Sequence, residues 1–161
     1  MSVTTGTEIP ERVARLFDGT DLAAKVGLGF LLVTVDNSGR PRPCLLSAGE
    51  LLVTGPTTMR LGLWRGTSTA RNLENGSEVL FCFITGGTVC YLRGRATPLR
   101  VGPEAALECF EFRIELVETD EHAGLPVTGG VTFTVTDPDP ETLLGIWADQ
   151  LAVIRDAELV R

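Results

Sequence analysis

The sequence holds one histidine and one tyrosine in 161 residues, and none of its four cysteines forms a Cys-x-x-Cys pair. A structural zinc site takes four thiolate or imidazole ligands at short spacings, and Cys44, Cys82, Cys90, Cys109 and His122 cannot supply one. There is no P-loop and no glycine-rich strand-to-helix turn of the dinucleotide type. No apolar run reaches the roughly 18 residues of a membrane-spanning helix, so no membrane role is expected. Met1 to Pro10 shows no basic region followed by an apolar one; no secretory signal is read there, and the cytoplasm is the expected compartment. Positive charge is scarce too, with 14 Lys and Arg against 21 Asp and Glu, a net charge of −7. Nucleic-acid binders need a basic face to displace counterions, so no nucleic-acid partner is expected. His122, in the acidic loop Thr119 to Gly124, has no serine or cysteine motif around it and reads as a solvated loop residue rather than a catalytic base.

What remains is ordinary globular composition, 43% hydrophobic and 22% charged, which excludes a disordered chain. At about 150 residues per domain, residues 1–161 read as one domain. Ile9 to Lys25 has helical spacing at Val13, Leu16 and Phe17, broken at Gly19-Thr20-Asp21, where Thr20 or Asp21 would cap a second short helix. Gly29 to Val35 is a branched apolar strand closed by the turn Asp36-Asn37-Ser38-Gly39. Arg40 to Ser47 returns from it, and Pro41 and Pro43 consign that strand to an edge or a bulge. Glu50 to Thr54 and Met59 to Trp64 are further strands. Ser77 to Thr85 and Thr88 to Pro98 form a hairpin about Gly86-Gly87. Pairing Thr85 with Thr88 puts Cys82 and Cys90 on opposite faces, so these are reduced thiols behaving as small hydrophobes.

Cys109 to Val117 fits a helix stripe as well as a strand, but strict alternation and aromatic content favour a strand, preceded by a brief helical turn at Pro103 to Ala106. Gly130 to Thr136 alternates likewise. The last element is a helix with Asp139 as cap, Pro140 at its first position, and Leu143, Trp147, Leu151 and Ile154 as its apolar stripe. Seven or so short antiparallel strands without βαβ alternation predict a mainly β fold with flanking helices, closed or nearly closed into a barrel.

One constellation points to chemistry. Gly66 to Gly76 reads as a short helix with Arg65-Gly66-Thr67-Ser68-Thr69 at its start, Arg71 on its first turn, and Asn75-Gly76 where a left-handed C-cap falls. Unpaired N–H groups, three hydroxyls and guanidinium groups would suit a phosphate. Arg42 points at the same place if its prolyl strand lies beside this helix. Plain helix capping, which needs one hydroxyl, is the competing reading.

Residues Gly29 to Leu99 resemble the pyridoxamine 5′-phosphate oxidase-like family of FMN-binding split barrels. The likeness is carried, in order, by Gly29-Phe30-Leu31-Leu32-Val33-Thr34-Val35, by Gly39 to Ser47, by Thr67-Ser68-Thr69-Ala70-Arg71-Asn72-Leu73 with the strand after it, and by Leu92-Arg93-Gly94-Arg95-Ala96. It covers a little under half of the chain. The resemblance implies a six-stranded antiparallel split β-barrel, a homodimer, and FMN in a groove between subunits. It places Arg42 near the FMN phosphate and the backbone of Pro43, Cys44 and Leu45 at the flavin ring. Trp64 and Arg65 fall where the family also contacts FMN, and Thr67, Ser68 and Thr69 fall on its Ser-Arg-Lys phosphate triplet. Here hydroxyls replace the two cations of that triplet, and Arg65 and Arg71 are the compensating charges.

The arginine-rich C-terminal substrate segment of true pyridoxamine phosphate oxidases is missing, and Trp147 fits a buried stripe, so vitamin B6 oxidation is not expected. The reading that follows is an FMN-binding flavoprotein, an oxidoreductase of unassigned substrate. The alternatives are a non-catalytic or stress-related flavin module, a split barrel using haem or a deazaflavin, and a purely structural dimer.

Overall fold

The structure is a computed structural model that describes residues 2–160. Its elements, in chain order, are β1 (Ser2–Gly6), α1 (Glu11–Leu16), α2 (Leu22–Lys25), β2 (Leu28–Val35), β3 (Pro41–Leu46), a 3₁₀ turn (Ala48–Glu50), β4 (Leu51–Gly55) and β5 (Thr58–Trp64). They continue with α3 (Ser68–Glu74), β6 (Glu78–Thr85), β7 (Thr88–Arg100), β8 (Leu107–Asp120), β9 (Val131–Thr132), α4 (Pro140–Asp156) and β10 (Glu158–Leu159). The strands form an antiparallel split β-barrel in the order β3-β2-β6-β7-β8-β5-β4, with β1 on β8, β10 on β7 and β9 on β2.

Period-two alternation makes the barrel. Phe30, Leu32 and Thr34 of β2, Val79, Phe81 and Phe83 of β6, Leu92 of β7 and Phe110, Phe112 and Ile114 of β8 all face inward and are buried. The N-terminal segment covers one end of this core. Val13 of α1 is fully buried, and Phe17, just after the helix, sits edge-on to Phe30 and Phe83 at centroid distances of 4.8 and 5.4 Å. Backbone bonds from Ile9 N to Pro56 O and from Val53 N to Phe17 O, each 2.7 Å, hold the segment down.

The hairpin of β6 and β7 has the expected register: Thr85 opposes Thr88, Cys82 opposes Tyr91 and Phe83 opposes Cys90. The prolyl strand β3 lies at the sheet edge, as its two missing N–H donors require. A second cluster, Leu52, Leu99, Leu107, Cys109, Leu151, Ile154 and Ala157, joins α4 to the outer face of the sheet. Asp139 caps α4 by accepting from the amides of Glu141 and Thr142, both at 3.1 Å, and Trp147 is buried. Gly49 lies against the Trp147 ring so closely that a Cβ there would overlap the indole.

Three local expectations need correction. Asp21 stands at the N-cap of α2 but in a left-handed conformation (φ 47°), and it makes no capping bond. The turn is organised instead by Asp18, which accepts from Thr20 N and Oγ1 and from the buried Lys25 Nζ. Pro103 to Ala106 is no helical turn; the link between β7 and β8 is a tight reversal closed by Ala105 N to Gly102 O at 3.0 Å. Gly130 to Thr136 pairs only through Val131 and Thr132, opposite Gly29 and Leu28. Beyond Thr132 the antiparallel register runs past the start of β2 into Gly27, Val26 and α2, so the ladder ends after one more backbone bond, Phe133 N to Gly27 O at 2.8 Å. The left-handed cap expected at Asn75-Gly76 is present, at Gly76 (φ 77°), with Asn75 at φ −81°.

Candidate functional site

The Asp36–Gly39 turn brings β3 back beside β2, and Arg42 comes to lie opposite Thr34. The Asp36 carboxylate organises this corner. Its Oδ1 accepts from Ser38 N (2.8 Å) and Arg40 N (3.0 Å), and its Oδ2 accepts from Arg42 Nε (3.1 Å). The Arg40 amide first, then the Ser38 amide and the Arg42 guanidinium, hold the Asp36 carboxyl below the usual carboxylate range against the opposing effect of burial. Nε is thus committed, and the two terminal nitrogens of Arg42 make no hydrogen bond among the described residues.

Helix α3 is fixed against these strands by polar contacts. The buried carboxamide of Asn72 donates to the fully buried Thr34 hydroxyl at 2.9 Å, and that hydroxyl reaches the Arg42 carbonyl at 3.5 Å. Thr69 is buried and turns its hydroxyl to the Cys44 thiol. Thr67 is the N-cap and accepts from Ala70 N at 3.3 Å. Arg71 donates from Nη1 to Gly66 O at 2.6 Å, which folds its side chain back along the first turn and leaves Nε and Nη2 unused.

The result is a polar cavity of about 370 Å³ lined by Asp36, Asn37, Ser38, Arg42, Ser68, Arg71, Asn72 and Asn75. Of the residues read from the sequence, Arg42, Ser68 and Arg71 meet here. Thr67 and Thr69 do not line it: the Thr67 hydroxyl caps the helix and Thr69 is buried. Arg65 turns away, donating from Nε and Nη2 to Ala105 O at 3.2 and 2.9 Å. Trp64 and Leu45 are each about half exposed, at 50% and 48%. Pro43 is exposed and Cys44 partly buried on β3.

The thiols offer no nucleophile. Burial pushes all four upward, Cys109 to about 11, so at neutral pH they are protonated. Glu50 is likewise pushed up by burial, opposed by the Ser47 amide and hydroxyl with which it forms a capping box. His122 is exposed, with Nδ1 3.2 Å from the Ala123 carbonyl oxygen. Among the described residues no group of three or more His, Cys, Asp or Glu is placed to hold a metal, and no helix is long and apolar enough to cross a membrane.

Sequence reasoning missed Asp36 and Asn72. Asp36 read only as a turn residue. Asn72 carried a usable signal: it sits on the same face of α3 as Thr69, Ala70 and Leu73, and a polar group on a buried face needs a partner.

No family model matches this sequence. Among solved structures, the chain is similar to a Lactobacillus delbrueckii protein provisionally named a pyridoxamine 5′-phosphate oxidase, with 18% identity, 70% of this chain and 95% of that one covered, and a TM-score of 0.56. It is also similar to HupZ of Group A Streptococcus, at 13% identity, 78% and 99% coverage, and a TM-score of 0.53. At these identities the likeness is one of fold. In sequence it is 30% identical over 143 residues to the uncharacterized protein YclD of Bacillus subtilis strain 168, across 88% of this chain and 92% of YclD. The chain belongs to the same family as YclD and has the pyridoxamine 5′-phosphate oxidase-like split-barrel fold. Within the family frame, the segment Thr67-Ser68-Thr69 lacks the cations of the Ser-Arg-Lys triplet. The two guanidinium groups beside Ser68 come instead from β3 and from one helical turn further on.

Proposed function

We propose that this split barrel binds a flavin, specifically FMN, and works as a flavin-dependent oxidoreductase whose substrate is unassigned. The observation that carries this reading is the convergence of Arg42, Arg71 and Ser68 on one cavity, each guanidinium held by a single bond with N–H donors left over. A phosphate accepts charge-assisted hydrogen bonds from such groups, and these are roughly twice as strong as neutral ones. Arg42, Ser68 and Arg71 would hold the phosphate. The β3 backbone at Pro43 to Leu45 and the half-exposed Trp64 would border the ring.

A bound flavin supplies the electron-transfer chemistry, and the protein supplies binding, orientation and exclusion of water. Asp36 is the one carboxylate lining the cavity, and it is engaged with Arg42 and two amides, so acid–base work is not assigned to it.

The active form we propose is a homodimer with the cofactor groove at the interface. The supporting feature is the outward face of β2, β6 and β7, where Leu31 lies beside Cys82 and Tyr91, and Val33 beside Leu80 and Arg93. An outward sheet face meeting water is ordinarily polar. A second copy would cover this one.

Titration of the purified protein with FMN and with riboflavin, followed by flavin fluorescence, tests the cofactor. FMN should bind at least about tenfold tighter, the share of a phosphate held by charged donors. No binding of either would remove the flavin reading, and equal affinities would remove the phosphate site at Arg42, Ser68 and Arg71. Sizing at micromolar concentration should give a dimer that Leu80→Glu converts to monomer. Reduction of bound FMN by NADH or NADPH would separate an oxidoreductase from a flavin carrier.

A further inference from the structure

The Asp36 carboxylate sits inside the proposed anion cavity, where its charge opposes an anionic ligand. A residue serving only to close the turn would need one oxygen, and Oδ1 alone takes both the Ser38 and the Arg40 amides. Oδ2 is directed at Arg42 Nε, 3.1 Å away, and that contact does nothing for the turn. Its geometric consequence falls on Arg42. A guanidinium anchored through Nε has its orientation restrained and keeps the end-on pair of terminal N–H donors pointing away from the anchor. Arg42 is 57% exposed on an edge strand and would otherwise sample many rotamers. Arg71 is also held by one bond, from Nη1 to the Gly66 carbonyl. Each arginine therefore gives up one donor and keeps the rest for the cavity.

We infer that Asp36 is a positioning residue for the cofactor phosphate: it orients Arg42, and the affinity gained by pre-ordering that guanidinium exceeds the repulsion its own charge introduces. This rests on the flavin-phosphate reading above and extends it to a residue outside the family's triplet. Asp36→Asn is the informative change. The asparagine Oδ1 can still accept from Ser38 and Arg40, so the turn is kept, while Nδ2 is a donor and cannot hold Arg42 Nε.

The test is FMN and riboflavin affinity for four proteins, wild type, Asp36→Asn, Arg42→Met and the double variant. Alongside them, the Arg42 Nε–Hε signal is followed by NMR in the flavin-free wild type and in Asp36→Asn. The expected result is a weakening of FMN binding by about fivefold in Asp36→Asn with riboflavin unchanged. The Arg42 signal should lose its order, and in the Arg42→Met background Asp36→Asn should cause no loss. Tighter FMN binding in Asp36→Asn would show that repulsion dominates and overturn the inference. An equal loss in both backgrounds would make the effect one of the turn rather than of Arg42, and would overturn it too. Wild-type protein that binds no FMN would overturn the flavin reading and this inference together, whereas FMN binding that Asp36→Asn leaves untouched overturns the inference alone.

Discussion

The hydrogen bond between Asn72 and Thr34 joins the barrel to the helix that carries Ser68 and Arg71. Both side chains are buried, at 7% and 0% exposure, and the bond is 2.9 Å long. Asn72→Leu keeps nearly the same volume but removes the donor, leaving the Thr34 hydroxyl in the core with one unmet lone pair. Thr34→Val strands the Asn72 N–H₂ in the same way. Leaving one buried partner unsatisfied costs about 1–3 kcal/mol, whereas replacing both by apolar groups of similar shape is close to neutral. For a domain of this length each kcal/mol moves the melting temperature by roughly 2–4 °C. Either single variant should therefore melt about 4–8 °C lower, taking about 2 kcal/mol as the midpoint. The double variant Thr34→Val/Asn72→Leu should recover most of that loss. The measurement is a double-mutant cycle by thermal melts with urea titration as a cross-check. Single variants that melt with the wild type, or losses that simply add in the double variant, would refute the claim that this pair docks α3.

Two other outcomes follow from the same geometry. Gly94 lies at the register shift between β7 and β8, where a Cβ would overlap the Arg113 carbonyl oxygen and stand 3.2 Å from Glu115 N. Because these are backbone atoms that cannot swing aside, Gly94→Ala should cost about 3 kcal/mol or more, and a soluble variant with a wild-type denaturation midpoint would contradict the bulge. Asp139 is held below the usual carboxylate range by the Thr142 hydroxyl first, then by the Thr142 and Glu141 amides. A depressed folded-state value means that its contribution is present above the unfolded carboxyl's range and is lost as pH falls through the folded value. The melting temperature of Asp139→Asn should accordingly fall less than that of the wild type between pH 7 and about pH 3, and parallel pH profiles would deny the cap its charge.

The barrel was legible because its signals are local and repeated. Alternation in β2, β6 and β8, the Gly-Gly turn with its register, the two prolines of an edge strand, and the Asp139-Pro140 helix start each specify their own conformation within a few residues. The errors have a common origin in partners that a linear pattern cannot display. Gly130 to Thr136 alternates as well as any strand, yet pairing depends on an extended partner, and past Thr132 the register meets Gly27, Val26 and α2 instead of β2. Asp21 has the right chemistry for a cap but makes no capping bond, and the turn before α2 is organised by Asp18, which binds Thr20 N and Lys25 Nζ.

The candidate site was legible to the extent that its residues announce charge. Arg42 and Arg71 could be picked out as cations near a hydroxyl-rich helix start, but three adjacent hydroxyls looked equivalent and the fold makes them unlike. Thr67 faces the first turn as its cap, Thr69 faces the core and Cys44, and only Ser68 is left at the cavity. A helix advances about 100° per residue, so neighbours at its start necessarily face different surroundings. The same geometry explains how the cavity gathers its charge without the lysine and arginine of the family triplet. A cation on β3, opposite Thr34, and another at the fourth position of α3 reach the space that Ser68 faces, and the Asn72–Thr34–Arg42 chain fixes the distance between those two elements. Restoring a cation directly, as in Ser68→Arg, would put a third guanidinium into a cavity of about 370 Å³ already lined by two, so added charge and lost room act against each other there.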